Sequence, residues 1–143
     1  RRGLDHPGLM KAGAASLAVL CLIGGGASAQ PPGSTAARLD TINKTYDRCA
    51  NKAVTNPDFA ACGTARLKAD DVLLNDLWRR VYGAETGAGK AGLLAEQRLW
   101  IAYKDKSCVA WLNRRGREGQ VIHYPLCRST VIEDRIRMLE LLN

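Results

Sequence analysis

Aromatic side chains are scarce in this 143-residue chain, with three Trp, four Tyr and one Phe. Histidine is scarcer still, with His6 and His123 alone. No G-x-S-x-G or H-E-x-x-H stretch occurs, and GAETGAGK (Gly83–Lys90) lacks the spacing of a phosphate loop. Glu133 and Asp134 are helix neighbours that point apart, poor geometry for paired acid–base work. No enzyme activity and no cofactor are therefore expected. A zinc set of Cys108, His123 and Cys127 would need reduced thiols, which an exported chain does not keep, so no metal is expected either. Strict two-residue alternation is absent and β-branched runs are few, so strands are not expected.

The first 29 residues read as a removable leader. Met10-Lys11 opens a positive segment, Ala14 to Ile23 is a compact apolar run, and Gly24-Gly25-Gly26 breaks it. Ala27-Ser28-Ala29 supplies the small-x-small pattern of signal-peptide cleavage, predicted after Ala29. The apolar run is too short to span a bilayer. Cys21 follows Leu20, where a lipoprotein signal wants a small residue, and Arg1-Arg2 lies far from the apolar run, where a twin-arginine signal would not. Cleavage leaves Gln30 to Asn143, 114 residues, the size of one domain. A secreted or periplasmic location follows. Residues 30–35 read as a flexible lead-in and 36–143 as the domain.

From Ala36 onward the pattern is helical. Helix one is predicted over about 36–53, with Leu39, Ile42, Tyr46, Cys49 and Ala53 on one face. TNPD then breaks it, with Asn56 as a cap and Pro57 in first position of a helix to about Tyr82. GAETGAG reads as a turn. Helix three is predicted from about Lys90 to Leu112, and helix four from near Pro125, carrying Leu126, Ile132, Ile136, Leu139 and Leu142. The fold class is all-α, an antiparallel bundle of about four helices. Without Cys21, four cysteines remain, an even count that reads as two disulfides and allows three pairings. Matched heights across the two helical hairpins predict Cys49–Cys62 and Cys108–Cys127, each contributing roughly 3 kcal/mol.

On helix three, Gln97, Trp100, Lys104, Cys108 and Trp111 recur at spacings of three and four and share one face. Gln97 and Lys104 are out of place on an apolar stripe, because a polar group facing a core must find hydrogen bonds. Asn75, next to Leu74 and Trp78, is the expected partner, and Asp105 is expected to pair with an Arg or Lys. Two roles suit this polar set: pinning the register of the bundle, or forming a groove between helices two, three and four that grips a ligand.

These residues carry a resemblance. The chain resembles the lysozyme inhibitor LprI-like N-terminal domain family, in Cys49 and Cys62, then Leu74-Asn75 with Trp78, then Gln97, Trp100, Lys104, Asp105 and Cys108, then Cys127 and Arg135-Ile136 with Leu139. The match runs from about Cys49 to Leu142. Trp78 stands where the family has tyrosine, and Lys104 where it has arginine; lysine keeps the charge and loses the planar fork. The resemblance implies a small disulfide-bonded helical domain of the bacterial envelope, a binding protein that inhibits a lysozyme-type hydrolase without covalent chemistry. The candidate binding residues on these motifs are Asn75, Trp78, Gln97, Trp100, Lys104, Asp105 and Arg135. Asp70, Asp71 and Asp76 form a candidate acidic patch for a basic lysozyme.

Charge offers an alternative function. The net charge is +7 for the chain and +5 once Arg1, Arg2, Lys11 and Asp5 are removed. A basic exported domain suits anionic envelope partners. NRRGRE places Arg114, Arg115 and Arg117 in one loop, which gives a structural or adaptor domain binding an anionic envelope component. Trp111 is the one aromatic near it, so nucleic acid is not expected.

Overall fold

The computed structural model describes residues 33–143. The leader with its cleavage site, Cys21, Arg1-Arg2 and most of the lead-in lie outside the described residues. Four long helices make up the bundle: α1 (Thr35–Ala50), α2 (Asn56–Ala84), α3 (Gly87–Lys106) and α4 (Tyr124–Glu140). No strand occurs among the described residues. Between α3 and α4 the chain makes a 3-10 turn (Val109–Leu112), one helical turn (Gly116–Glu118) and a π-helical turn (Gly119–His123).

At 29 residues α2 is the longest element, about 43 Å at 1.5 Å per residue. It packs against α1 on one flank and α4 on another. The buried apolar set is drawn from all four helices: Leu39 from α1, Leu73, Leu74, Leu77 and Val81 from α2, Leu93 from α3, and Ile132, Ile136 and Leu139 from α4. All nine lie between Leu39 and Leu139. Trp78, Tyr82 and Trp100 close its α3 side. Gly63 lets α2 and α4 approach closely, since a Cβ there would lie 2.8 Å from the Pro125 ring.

The helix ends correct several expected boundaries. The N-cap of α2 is Thr55, not Asn56: its hydroxyl accepts from the Asp58 N–H while the Asp58 carboxylate accepts from the Thr55 N–H at 2.8 Å. Helix α1 stops at Ala50, short of Ala53. Only Glu85 and Thr86 separate α2 from α3, so GAETGAG lies mostly inside helices. The largest correction is at the end of α3, which stops at Lys106 rather than Leu112. Ser107 closes it, with its hydroxyl on the Lys104 carbonyl at 2.8 Å. Cys108 then takes a left-handed φ of +67°, which turns its side chain towards Cys127. Leu142, expected on α4, lies past its end and is exposed.

Both disulfides form as expected, Cys49–Cys62 between α1 and α2 and Cys108–Cys127 across the connection into α4. The connection is tight. A side chain at Gly119 would run into the Trp111 and Arg114 carbonyls, so only glycine fits.

Candidate functional site

The α3–α4 face gathers five of the residues expected to act together. Gln97 is buried, and its Oε1 accepts from Arg135 Nε at 2.9 Å. Arg135 Nη1 donates to Glu96 Oε1, and Nη2 is buried without a hydrogen-bond partner. The Arg135 guanidinium and the Lys104 ammonium each sit 6.0 Å from the Trp100 ring centroid. Lys104 also meets Asp105 at 2.9 Å, with Arg128 at 3.7 Å from the same carboxylate oxygen. Lys104, and then Arg128, hold the Asp105 carboxyl below its ordinary range. The out-of-place glutamine is thereby explained: it anchors a buried guanidinium.

Asn75 is exposed and takes no part, so Arg135, not Asn75, is the partner of Gln97. Trp78 faces the core and stacks on Tyr82 at 5.1 Å. Cys108 and Trp111 leave the α3 stripe because the helix ends before them; Trp111 stacks on His123 at 4.7 Å instead. Around Trp100 and Arg135 lies a shallow groove of about 180 Å³, also lined by Tyr103, Val131, Asp134 and Met138. Tyr103 and Met138 are 60% and 55% exposed, which for such residues is high. Sequence reasoning missed both, though Tyr103 lies three residues from Trp100 and Met138 three from Arg135. A larger concavity of about 750 Å³ runs between α1 and α2, lined by small residues such as Ala37, Ala65 and Ala69 and flanked by Arg38 and Lys68.

The expected acidic patch does not form. Asp70 is fully buried, Asp76 pairs with Arg38 at 2.9 Å and with Arg79, and only Asp71 is a free-standing surface acid. Asp70 belongs to a polar clasp across three helices that the sequence did not reveal. Arg66 at its centre donates to Ser129 Oγ at 2.6 Å, to Glu133 Oε1 at 2.7 Å and to Asn43 Oδ1. Its guanidinium lies over the Tyr46 ring at 4.9 Å. The Ser129 hydroxyl donates to Asp70 Oδ2 at 2.5 Å, and Arg137 supports Glu133 at 2.8 Å.

Burial, only partly offset by Ser129 and Arg66, pushes the Asp70 carboxyl up to about 6. Unfolded, it titrates near 3.8. Between those values the folded protein holds a proton that the unfolded chain has lost, so stability falls as pH rises through 6. Unfolding by urea is expected to show about 1.4 kcal/mol more stability at pH 5 than at pH 7.5, and Asp70→Asn is expected to remove most of that slope. Asp58, Asp76 and Asp105 do not interfere, because their carboxyls are lowered and titrate below this window. An equal slope in the Asn variant would assign the effect elsewhere.

Arg114, Arg115 and Arg117 sit in the connection between α3 and α4, apart from the Gln97–Arg135 cluster in sequence and in hydrogen bonding. Arg117 donates to Gln120 and Arg115 lies 3.9 Å from Glu118. Among the described residues no group of three or more His, Cys, Asp or Glu is placed to hold a metal, and no helix is long and apolar enough to cross a membrane. A family model described as "Lysozyme inhibitor LprI" matches residues 49–139, 91 of the 143 residues. No curated protein and no solved structure matches the chain.

Proposed function

The chain belongs to the lysozyme inhibitor LprI family, and on that premise we propose that it is an exported envelope protein that inhibits a lysozyme-type hydrolase by non-covalent binding. The observation that carries this reading is the α3–α4 groove. It is lined by a guanidinium fixed by Gln97 and Glu96, by Trp100, and by the exposed Tyr103 and Met138. A pre-positioned arginine beside exposed aromatic and thioether surface is the composition of an interface hot spot. The disulfides fix the scaffold and suit the oxidising compartment to which the predicted leader points. Two basic proteins repel at long range. The charged residues that line the groove, Asp134 and Arg135, are one of each sign, so the groove itself adds no net positive charge to that repulsion.

The test is turnover of cell-wall substrate by lysozyme, with and without the oxidised chain, at two salt concentrations. Inhibition that persists at high salt is expected from a shape-matched contact. Tyr103→Ala, at an exposed position, is expected to raise the half-inhibitory concentration on the order of tenfold with the melting temperature unchanged. Uninhibited turnover at both salts would remove the inhibitor reading and leave the family name describing the fold.

A further inference from the structure

The net charge is not spread over the molecule. Residues 98–128 hold seven Lys or Arg and two Asp or Glu, while the other described residues hold eleven of each. The whole excess of +5 therefore sits on the second half of α3, the connection and the start of α4, and the loop closed by Cys108–Cys127 itself carries +2 from Arg114, Arg115 and Arg117 against Glu118. Asp105 is taken by Lys104 and Arg128 at the end of α3 and the start of α4, which leaves Glu118 as the one acid near the three loop arginines. The Arg115–Glu118 pair is 3.9 Å apart with both side chains more than half exposed, and such pairs are weak.

Exposed aliphatic surface lies in the same loop. Val109 and Leu112, at the two ends of the 3-10 turn, are 48% and 37% exposed, and Arg114, Arg115 and Arg117 follow at once. The loop is held in shape by the disulfide, by Gly119 against two carbonyls, and by Gln120 Nε2 on the Leu112 carbonyl at 3.3 Å. Exposed aliphatic side chains followed within a few residues by three exposed arginines suit the headgroup layer of an anionic bilayer, where the apolar part enters and the cations meet phosphates. A soluble polyanion fits less well. It gains nothing from Val109 and Leu112, and Trp111, the aromatic next to the three arginines in sequence, is already stacked on His123.

We infer that the Cys108–Cys127 hairpin docks on an anionic phospholipid surface, with Val109 and Leu112 entering the headgroup layer and Arg114, Arg115 and Arg117 on the phosphates. This goes beyond hydrolase inhibition and holds whether or not a hydrolase binds the α3–α4 groove. It would keep a domain without a membrane-spanning helix in its described part at the membrane face.

Sedimentation of the oxidised chain from Gln30 with sucrose-loaded phosphatidylcholine vesicles, with and without about one third phosphatidylglycerol, tests it. Binding is expected to the anionic vesicles alone and to weaken as salt is raised. Each surface cation contributes about fivefold, so R114Q/R115Q/R117Q is expected to lower partitioning on the order of 100-fold. V109S/L112S is expected to weaken vesicle binding while leaving the melting temperature and any binding to dextran sulfate unchanged. Three results would overturn the inference: no partitioning onto anionic vesicles, vesicle binding indifferent to V109S/L112S, or vesicle binding indifferent to loss of the three arginines. The second, together with tight dextran sulfate binding, would reassign the loop to a soluble polyanion.

Discussion

Arg66→Met is expected to lower the unfolding free energy by about 3–5 kcal/mol, the cost of removing one partner from a buried charge cluster. The Arg66 side chain is 12% exposed, and its counter-ions Glu133 and Asp70 are 8% and 0% exposed. Both carboxylates are too buried for bulk water to replace the guanidinium fully. Glu133 keeps Arg137, but Asp70 keeps only the Ser129 hydroxyl, and its Oδ1 already lacks a partner. Asn43 on α1 also loses its donor, so the contact joining α1 to α4 through α2 goes with it. Arg66→Lys should fall between, because an ammonium keeps the charge and cannot reach Ser129, Asn43 and Glu133 at once. Arg66→Met should also lose more stability between pH 5 and 7.5 than the wild type, since the nearest cation that favours ionised Asp70 is gone. Arg135→Met is the matched control. Arg135 is as buried, but its ion-pair partner Glu96 is 57% exposed and rehydrates, so the cost is that of the buried Gln97 oxygen left without a donor, about 1–2 kcal/mol. Urea unfolding of both variants decides the matter. Equal losses would mean that the α3–α4 cluster holds the fold as firmly as the clasp does, and would weaken its claim to be a binding surface.

That contrast follows what was legible in the residues. The all-α class, both disulfides and the cluster around Gln97 could be read because each is written in local spacing. Cys49 and Cys62 fall at matched heights about TNPD, and Gln97, Trp100 and Lys104 recur at helical intervals. The partner of Gln97 could not, since Asn75 and Arg135 are both plausible donors until the helices are placed. The end of α3 was missed for another reason. Cys108 and Trp111 continue the helical period, but Cys108 must reach Cys127, and the backbone turns left-handed to do so. The closed loop overrides local propensity there. The clasp was hidden by the default that carboxylates face water. A signal existed: Asp70 lies four residues before Leu74 and seven before Leu77, on the buried stripe of α2, with Arg66 one turn earlier.

Reduction of both disulfides is the second large effect expected. The closed loops span 13 and 19 residues, and chain entropy assigns each about 3 kcal/mol. The sum, about 6 kcal/mol, compares with about 5–15 kcal/mol of total stability for a typical domain, so the reduced chain should be marginal at 37 °C. The two bonds should matter in different places. Helix α1 has other attachments: Thr35 to Glu140 at 2.6 Å, Arg38 to Asp76 at 2.9 Å, and Asn43 to Arg66. C49A/C62A should therefore lose stability while α1 stays docked. The Cys108–Cys127 loop has no buried aliphatic anchor before Val121, and Cys108 keeps a left-handed backbone that an L-residue adopts at a cost. C108A/C127A should free residues 107–120, seen as faster amide exchange there with α2 still protected. It should also weaken vesicle binding, because a loosened loop must be ordered again at the surface. Uniform loss of protection in both variants would show that the bundle and the loop melt as one unit. Separate losses would mean that one bond secures the core and the other shapes the surface the core carries.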